Sequence, residues 1–180
     1  MKKILLTLTL SAALIVTHAQ TEKGDWMVGG GFRLNTSDNN TEITLNPNAG
    51  LFIINNLALG GNFAFSYNKV EDDKITAFGI GPFVRYYFTN ANVRPILHGH
   101  LNFISAKRKL AGIGSNTNTG LNYFLGGGAA IFLNDQVSID GLLGYDHTKF
   151  KDFNGSGGFA MTIGFQVYLL KHQMDKVRGK

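Results

Sequence analysis

The stretch Phe159-Ala160-Met161-Thr162-Ile163-Gly164-Phe165-Gln166-Val167-Tyr168-Leu169 places Phe, Met, Ile, Phe, Val and Leu at every second position, with Ala160, Thr162, Gly164, Gln166 and Tyr168 between them. Period two is the mark of a strand with two unlike faces. Its length matters as much, because about 9–11 tilted residues take a β-strand across the hydrocarbon of a bilayer.

Similar segments recur along the chain, at 26–35, 42–53, 57–67, 74–88, 93–105, 119–133, 137–146 and 155–169. None has the 3.6-residue period of an amphipathic helix. The expected connections alternate between tight ones (54–56, 89–92, 134–136) and longer ones (36–41, 68–73, 106–118, 147–154). Short turns at one end and longer loops at the other are how outer-membrane barrels are built, and an even strand number puts both chain ends on the short-turn, periplasmic side. An open sheet edge in lipid would strand backbone groups at several kcal/mol each, so the first and last strands must pair. The expected fold is all-β, an eight-stranded antiparallel up-and-down transmembrane barrel.

Which face meets lipid follows from side-chain size and charge. Leu57, Leu59, Phe63, Phe65 and Tyr67 share one face of the third segment, with Ala58, Gly60, Asn62, Ala64 and Ser66 on the other. Phe78, Ile80, Val84, Tyr86 and Phe88 are opposed by Gly79, Gly81, Phe83, Arg85 and Tyr87, and Leu121, Tyr123, Leu125, Ile131 and Leu133 by Asn122, Phe124, Gly126, Gly128 and Ala130. A soluble ligand-carrying barrel would turn the apolar face inward and need a well-charged exterior. The second face here is small and nearly uncharged, which suits a narrow lumen. Trp26, Tyr67, Tyr86, Phe88, Tyr123 and Tyr145 fall near segment ends, as an interfacial girdle requires.

The first nineteen residues read as a secretory signal: Lys2 and Lys3, an apolar run over 4–16, and small residues Thr17 and Ala19 before Gln20. The expected division is a signal peptide at 1–19, a barrel at 20–170 and a basic periplasmic tail at 171–180. No cysteine is present, which removes disulfides, thiolate metal sites and a lipidated anchor. Glycine occupies 23 of 180 positions and charged residues only 16%, against about 25% in an ordinary soluble domain. The formal charge of +5 falls when Lys2 and Lys3 leave, and no basic face with interleaved aromatics speaks for nucleic acid.

The chain resembles the small eight-stranded outer-membrane β-barrel family of the Bacteroidetes-type outer membrane protein beta-barrel domain. The resemblance is carried by Asn46-Pro47-Asn48-Ala49-Gly50-Leu51-Phe52 running into Asn55-Asn56, by Leu57-Ala58-Leu59-Gly60-Gly61, and by Gly81-Pro82-Phe83-Val84-Arg85-Tyr86-Tyr87-Phe88. It implies an outer-membrane location and a terminal strand read by the barrel-assembly machinery through Thr162, Gly164, Val167 and Leu169. Aliphatic residues replace the usual aromatics of that signal, and a tail follows it.

Several constellations bear on function. Arg33 and Arg85 on inward faces have Asp140 and Asp146 as potential partners, since a buried ion needs one. His98 and His100 share a face with Asn102, within reach for a metal but without an acidic ligand in the segment, so lumen hydrogen bonding is the expectation and no metal or cofactor is assigned. Lys107, Arg108 and Lys109 are expected to open the longest surface loop, where lipopolysaccharide phosphates lie. His147, with Asp146, Ser138 and Ser156, is the set a lipid-modifying enzyme would draw on, though no nucleophile motif supports it. The reading is a non-enzymatic monomeric barrel with a structural or interaction role in the envelope, its lumen plugged by polar side chains and its partners outer-membrane lipids and lipopolysaccharide. A narrow pore for small solutes and a lipid-modifying enzyme are the alternatives.

Overall fold

The computed structural model describes residues 21–37, 40–70, 73–110, 114–151 and 153–171. Residues 1–20, where a signal peptide is expected, Glu71, Asp72 and the residues beyond Lys171 lie outside them, as do the side chains of Arg33 and Glu42. Eight strands follow one another: β1 (Trp26–Ser37), β2 (Asn40–Ile54), β3 (Leu57–Val70), β4 (Asp73–Tyr87), β5 (Val93–Leu110), β6 (Gly114–Asn134), β7 (Val137–Phe150) and β8 (Ser156–Leu169). Each pairs antiparallel with its sequence neighbour, and β1 pairs with β8 to close the barrel.

The alternation explains the closure. Leu59, Phe63, Phe78, Ile80, Val84, Phe103, Leu121, Leu125, Leu143, Phe159 and Ile163 lie exposed on the outside. In water such a band would be unfavourable; facing hydrocarbon it is what the bilayer solvates. The inside holds Met27, Phe52, Ala58, Phe83, Tyr87, Ile96, Phe124, Ala130, Phe132, Leu142 and Tyr168 as one buried cluster. The lumen is therefore filled by aromatic rings as well as by the polar side chains expected to plug it.

The strands also run longer than the alternation indicates. β5 and β6 continue past 105 and begin before 119, pairing from Ser105↔Thr119 to Leu110↔Gly114. Lys107, Arg108 and Lys109 thus stand on a paired strand and not in a loop. β7 likewise carries His147 in register with Gly157. At the other end the turn at Asn55-Asn56 is tight, with Asn56 at φ 66°, a left-handed conformation that asparagine tolerates. The end at which β1 begins and β8 ends, with the three tight turns, is called the terminal end below, and the opposite end the hairpin end.

Candidate functional site: the lumen

Four rings close the terminal end. Phe52 on β2, Tyr87 on β4, Phe132 on β6 and Tyr168 on β8 are all buried and all come from alternate strands, the way inward side chains of a narrow barrel stack in a layer. Ring centroids lie 4.9 Å apart for Phe132 and Tyr168, 5.8 Å for Phe52 and Tyr87 and 6.3 Å for Tyr87 and Tyr168. Below them Arg94 lays its guanidinium over Phe132 at 4.1 Å, donates from Nη1 to Thr21 Oγ1 at 2.9 Å and from Nε to the Ala91 carbonyl at 3.0 Å. The Thr21 hydroxyl in turn bonds Asn56 Oδ1, so the segment before β1 is drawn across the opening.

Above the rings lies an ion pair. Arg85 Nη1 donates to Asp140 Oδ2 at 2.5 Å, with both side chains 3% exposed. Ser138 Oγ donates to Asp140 Oδ1 at 2.7 Å and lies 3.1 Å from the Tyr168 hydroxyl. Because the Ser138 proton is committed to the carboxylate, Tyr168 donates to Ser138 and accepts from the Tyr87 hydroxyl 2.9 Å away.

A second chain of hydrogen bonds leaves Arg85 in the other direction. Its Nε donates to His98 Nδ1 at 3.2 Å, which fixes the proton of the neutral imidazole on Nε2. His98 Nε2 lies 3.4 Å from His100 Nδ1, and His100 Nε2 lies 3.2 Å from Asn122 Oδ1. Asn122 Nδ2 then donates to both Asp146 oxygens, at 3.0 and 3.1 Å. Every donor points the same way along the relay, from cation to carboxylate. His98 and His100 are further held by Phe124, whose ring stacks on His100 at 5.6 Å. Phe124 has its place because Gly126 and Gly144 face it; a Cβ on either would come within 2.6 or 2.5 Å of its Cζ.

Over this floor a cavity of about 180 Å³ is walled by Asn48, Asn62, Asn102, Asn122, Gln166 and Thr162. It shares Asn46, Asn122, Asp146 and Thr162 with a wider cleft of about 970 Å³ toward the hairpin end. The cleft is lined inside by Thr44, Ser66, Thr148 and Ser156 and is open between β1 and β8 beyond their five paired residues, where Phe32, Phe159, Met161 and Ile163 line its outer side. The interior is a polar cup, floored by the Arg85–Asp140 pair and sealed beneath it by rings.

The structure thus joins Arg85 with Asp140, and His98 with His100, while Asp146 accepts from Asn122. Arg33 stands in β1 opposite Thr44, its side chain outside the described residues. The basic cluster divides by strand parity: Lys107 and Lys109 face outward, and Arg108 faces inward with Nη2 3.6 Å from Asp73. Thr162 lines the cup, whereas Val167 and Leu169 pair with Val28 and Trp26 in the closing seam. His147 stacks outward on Tyr123 at 5.0 Å, while Ser156 and Ser138 face inward, the latter nine residues along the strand. No imidazole–hydroxyl pair forms among them. Phe52, Phe132, Tyr168 and Arg94, which complete the seal, are the residues that sequence reasoning did not single out. The available signal was strand parity, which puts Arg94 with Ile96 and His98, Tyr168 with Gln166, Phe52 with Gly50 and Phe132 with Ala130.

Comparison with solved structures places the fold among small outer-membrane barrels. Neisserial surface protein A superposes with a TM-score of 0.58 at 20% identity, over 79% of this chain and 95% of that one. The N-terminal β-barrel domain of Pseudomonas aeruginosa OprF gives 0.60 at 10% identity, over 82% and 98%. Ail, the attachment invasion locus protein of Yersinia pestis, gives 0.56 at 17% identity, over 82% and 99%. At such identities the likeness is one of fold. No curated protein matches the sequence. The family model of the outer membrane protein beta-barrel domain matches residues 4–169, so this chain belongs to that family and its place is the outer membrane.

Proposed function

We propose that the protein is a closed-lumen, non-enzymatic envelope barrel that acts through the surface it presents at the hairpin end, with a structural or interaction role and not as a conduit. The observation that carries this reading is the double seal of the lumen, the ion pair of Arg85 with Asp140 lying on the four-ring layer of Phe52, Tyr87, Phe132 and Tyr168. An eight-stranded barrel has room for little more than its own side chains, and here they occupy the terminal half. On this reading the chain is exported on a signal peptide cleaved after Ala19 and inserted by the barrel-assembly machinery through its last strand. It works as a monomer among outer-membrane lipids and lipopolysaccharide. The terminal end then faces the periplasm and the hairpin end the cell exterior, following the rule that places both chain ends of such barrels inside.

The test is a complementation series in a strain lacking the protein, scored by sensitivity to detergent and to hydrophobic dyes. One variant shortens the β5–β6 hairpin above Ser105↔Thr119; a second replaces the lumen pair as R85M/D140L. The reading expects loss of function with the shortened hairpin and none with the lumen pair. Loss that follows the lumen pair in a correctly inserted barrel would overturn it.

A further inference from the structure

The outward face of β3, β4 and β5 carries a row of like charges that strand pairing makes unavoidable. Lys69 on β3 is the register partner of Lys74 on β4, and Lys74 is the partner of Lys109 on β5. Lys107 stands on the same outward face two residues from Lys109, and Lys149 near the end of β7 and Lys151 just past it hold a corresponding height. All six are exposed. Directly opposed residues have Cβ atoms about 5 Å apart, and like charges there repel. Asp73, the nearest described carboxylate, faces the other way and meets Arg108. Among the described residues, the outward positions around the row are Thr41, Tyr67, Thr76, Ser105, Ser115, Thr117, Thr119 and His147, none of them acidic.

The row has a fixed height. Lys74, Lys107 and Lys149 lie four residues beyond Phe78, Phe103 and Tyr145, the last large apolar or girdle side chains on their strands, and Lys69 lies four beyond Phe65 and two beyond the girdle residue Tyr67. Four residues are about 13 Å of strand, or about 10 Å along the membrane normal at the tilt of such barrels, which is the level of lipid headgroups. Below Lys149 and Lys151 the wall is hollowed into an apolar groove of about 830 Å³ floored by Phe63, Phe78, Ile80, Phe103 and Leu121. Acyl chains fit the groove, and phosphates fit the ammonium groups above it.

We propose that the lysine row and the groove beneath it form a binding site for a phosphorylated, multiply acylated glycolipid of the outer leaflet, the lipid A moiety of lipopolysaccharide. The inference rests on the reading that the hairpin end faces outward, and it narrows that reading to one wall of the barrel and one ligand chemistry. Two phosphates bridging neighbouring lysines remove the cross-strand repulsion, and the hydrocarbon band that any lipid would cover becomes a shaped seat.

The experiment uses the full barrel folded in detergent, titrated with fluorescent bisphosphorylated lipid A, its dephosphorylated counterpart, and phosphatidylglycerol. K74Q/K109Q is compared with K23Q/K171Q, which removes the same charge from the terminal end. The expected result is a loss of lipid A affinity of about 30-fold in K74Q/K109Q, two surface cations' worth, and little change in K23Q/K171Q. Dephosphorylated lipid A should bind wild type as weakly as lipid A binds K74Q/K109Q. Equal weakening of both double variants, or equal binding of the dephosphorylated lipid or of phosphatidylglycerol, would overturn the proposal. Because the assay is made outside the cell, its failure leaves the hairpin phenotype standing, and loss of that phenotype leaves the affinity measurement standing.

Discussion

Arg85 on β4 and Asp140 on β7 meet at 2.5 Å across the lumen, although three strand steps separate them around the barrel wall. No backbone pairing links these strands, so the pair acts as a strut. It is also the junction of two polar chains: one reaches Tyr87 through Ser138 and Tyr168, the other reaches Asp146 through His98, His100 and Asn122.

Removing one partner leaves a buried charge alone. D140A is expected to lower stability by about 3–5 kcal/mol, whereas R85M/D140L is expected to match or exceed wild type, because apolar replacement of a buried pair removes the desolvation penalty with the attraction. Urea titration of the folded barrel in lipid, followed by the gel mobility difference between unboiled and boiled samples, reads both. A D140A barrel as stable as wild type would show that the pair is not the strut described.

The direction of the histidine relay is set by Arg85, which has no acceptor atom. Neutral His98 should carry its proton on Nε2, and long-range ¹⁵N–¹H correlation of the labelled imidazoles distinguishes the two tautomers. R85M/D140L should release that preference. An Nδ1 proton on His98 in the wild-type barrel would contradict the relay.

Close packing of strand against ring predicts an asymmetry between two glycines. A Cβ on Gly126 would lie 2.6 Å from both the Leu143 carbonyl oxygen and Phe124 Cζ, whereas a Cβ on Gly141 meets nothing within 4 Å. G126A should cost about 1–3 kcal/mol through overpacking, and G141A should change stability by less than about 0.5 kcal/mol. The same urea titration compares them.

The barrel closes on its shortest seam. β1 and β8 share five residue pairs, Trp26↔Leu169 to Gly30↔Phe165, while β5 and β6 are paired from Val93↔Ile131 to Leu110↔Gly114. Asp25 reinforces the seam by accepting from the Lys171 amide at 2.8 Å through Oδ1 and from the Glu22 amide at 3.0 Å through Oδ2. Hydrogen exchange should therefore be faster along β8 at 165–169 than along the β5–β6 pairing, and D25A should accelerate it there without touching β5 and β6.

What was legible in the sequence follows from where the two faces of a strand meet different media. Along Phe159–Leu169 or Leu57–Tyr67 one face meets lipid and the other the lumen, so period two is clear and the barrel follows. Beyond the hydrocarbon both faces of Lys107–Lys109 and Ser115–Asn118 carry polar side chains. The contrast disappears there, and the stretch reads as a loop although the backbone remains paired. Near the turns the alternation holds through Phe52 and Phe132, which continue the inward series of Asn48 and Gly50 and of Gly128 and Ala130, and the register shifts only beyond them. Large apolar rings on the inner face there resemble the lipid-facing set, so size does not mark them as lumen residues. The inward parity of Arg85, Asp140 and Asp146 could be read, but which carboxylate the arginine meets depends on the stagger of β4 against β7 around the closed wall. No local pattern encodes that stagger.

The most direct test of the sealed lumen is ion conductance of the purified barrel in a planar lipid bilayer. The seal of Arg85 and Asp140 over Phe52, Tyr87, Phe132 and Tyr168 predicts no channel openings from wild type, and openings only when the ring layer is cut back as in F52A/Y87A/F132A/Y168A. Uniform stepwise conductance from the wild-type barrel would contradict the account.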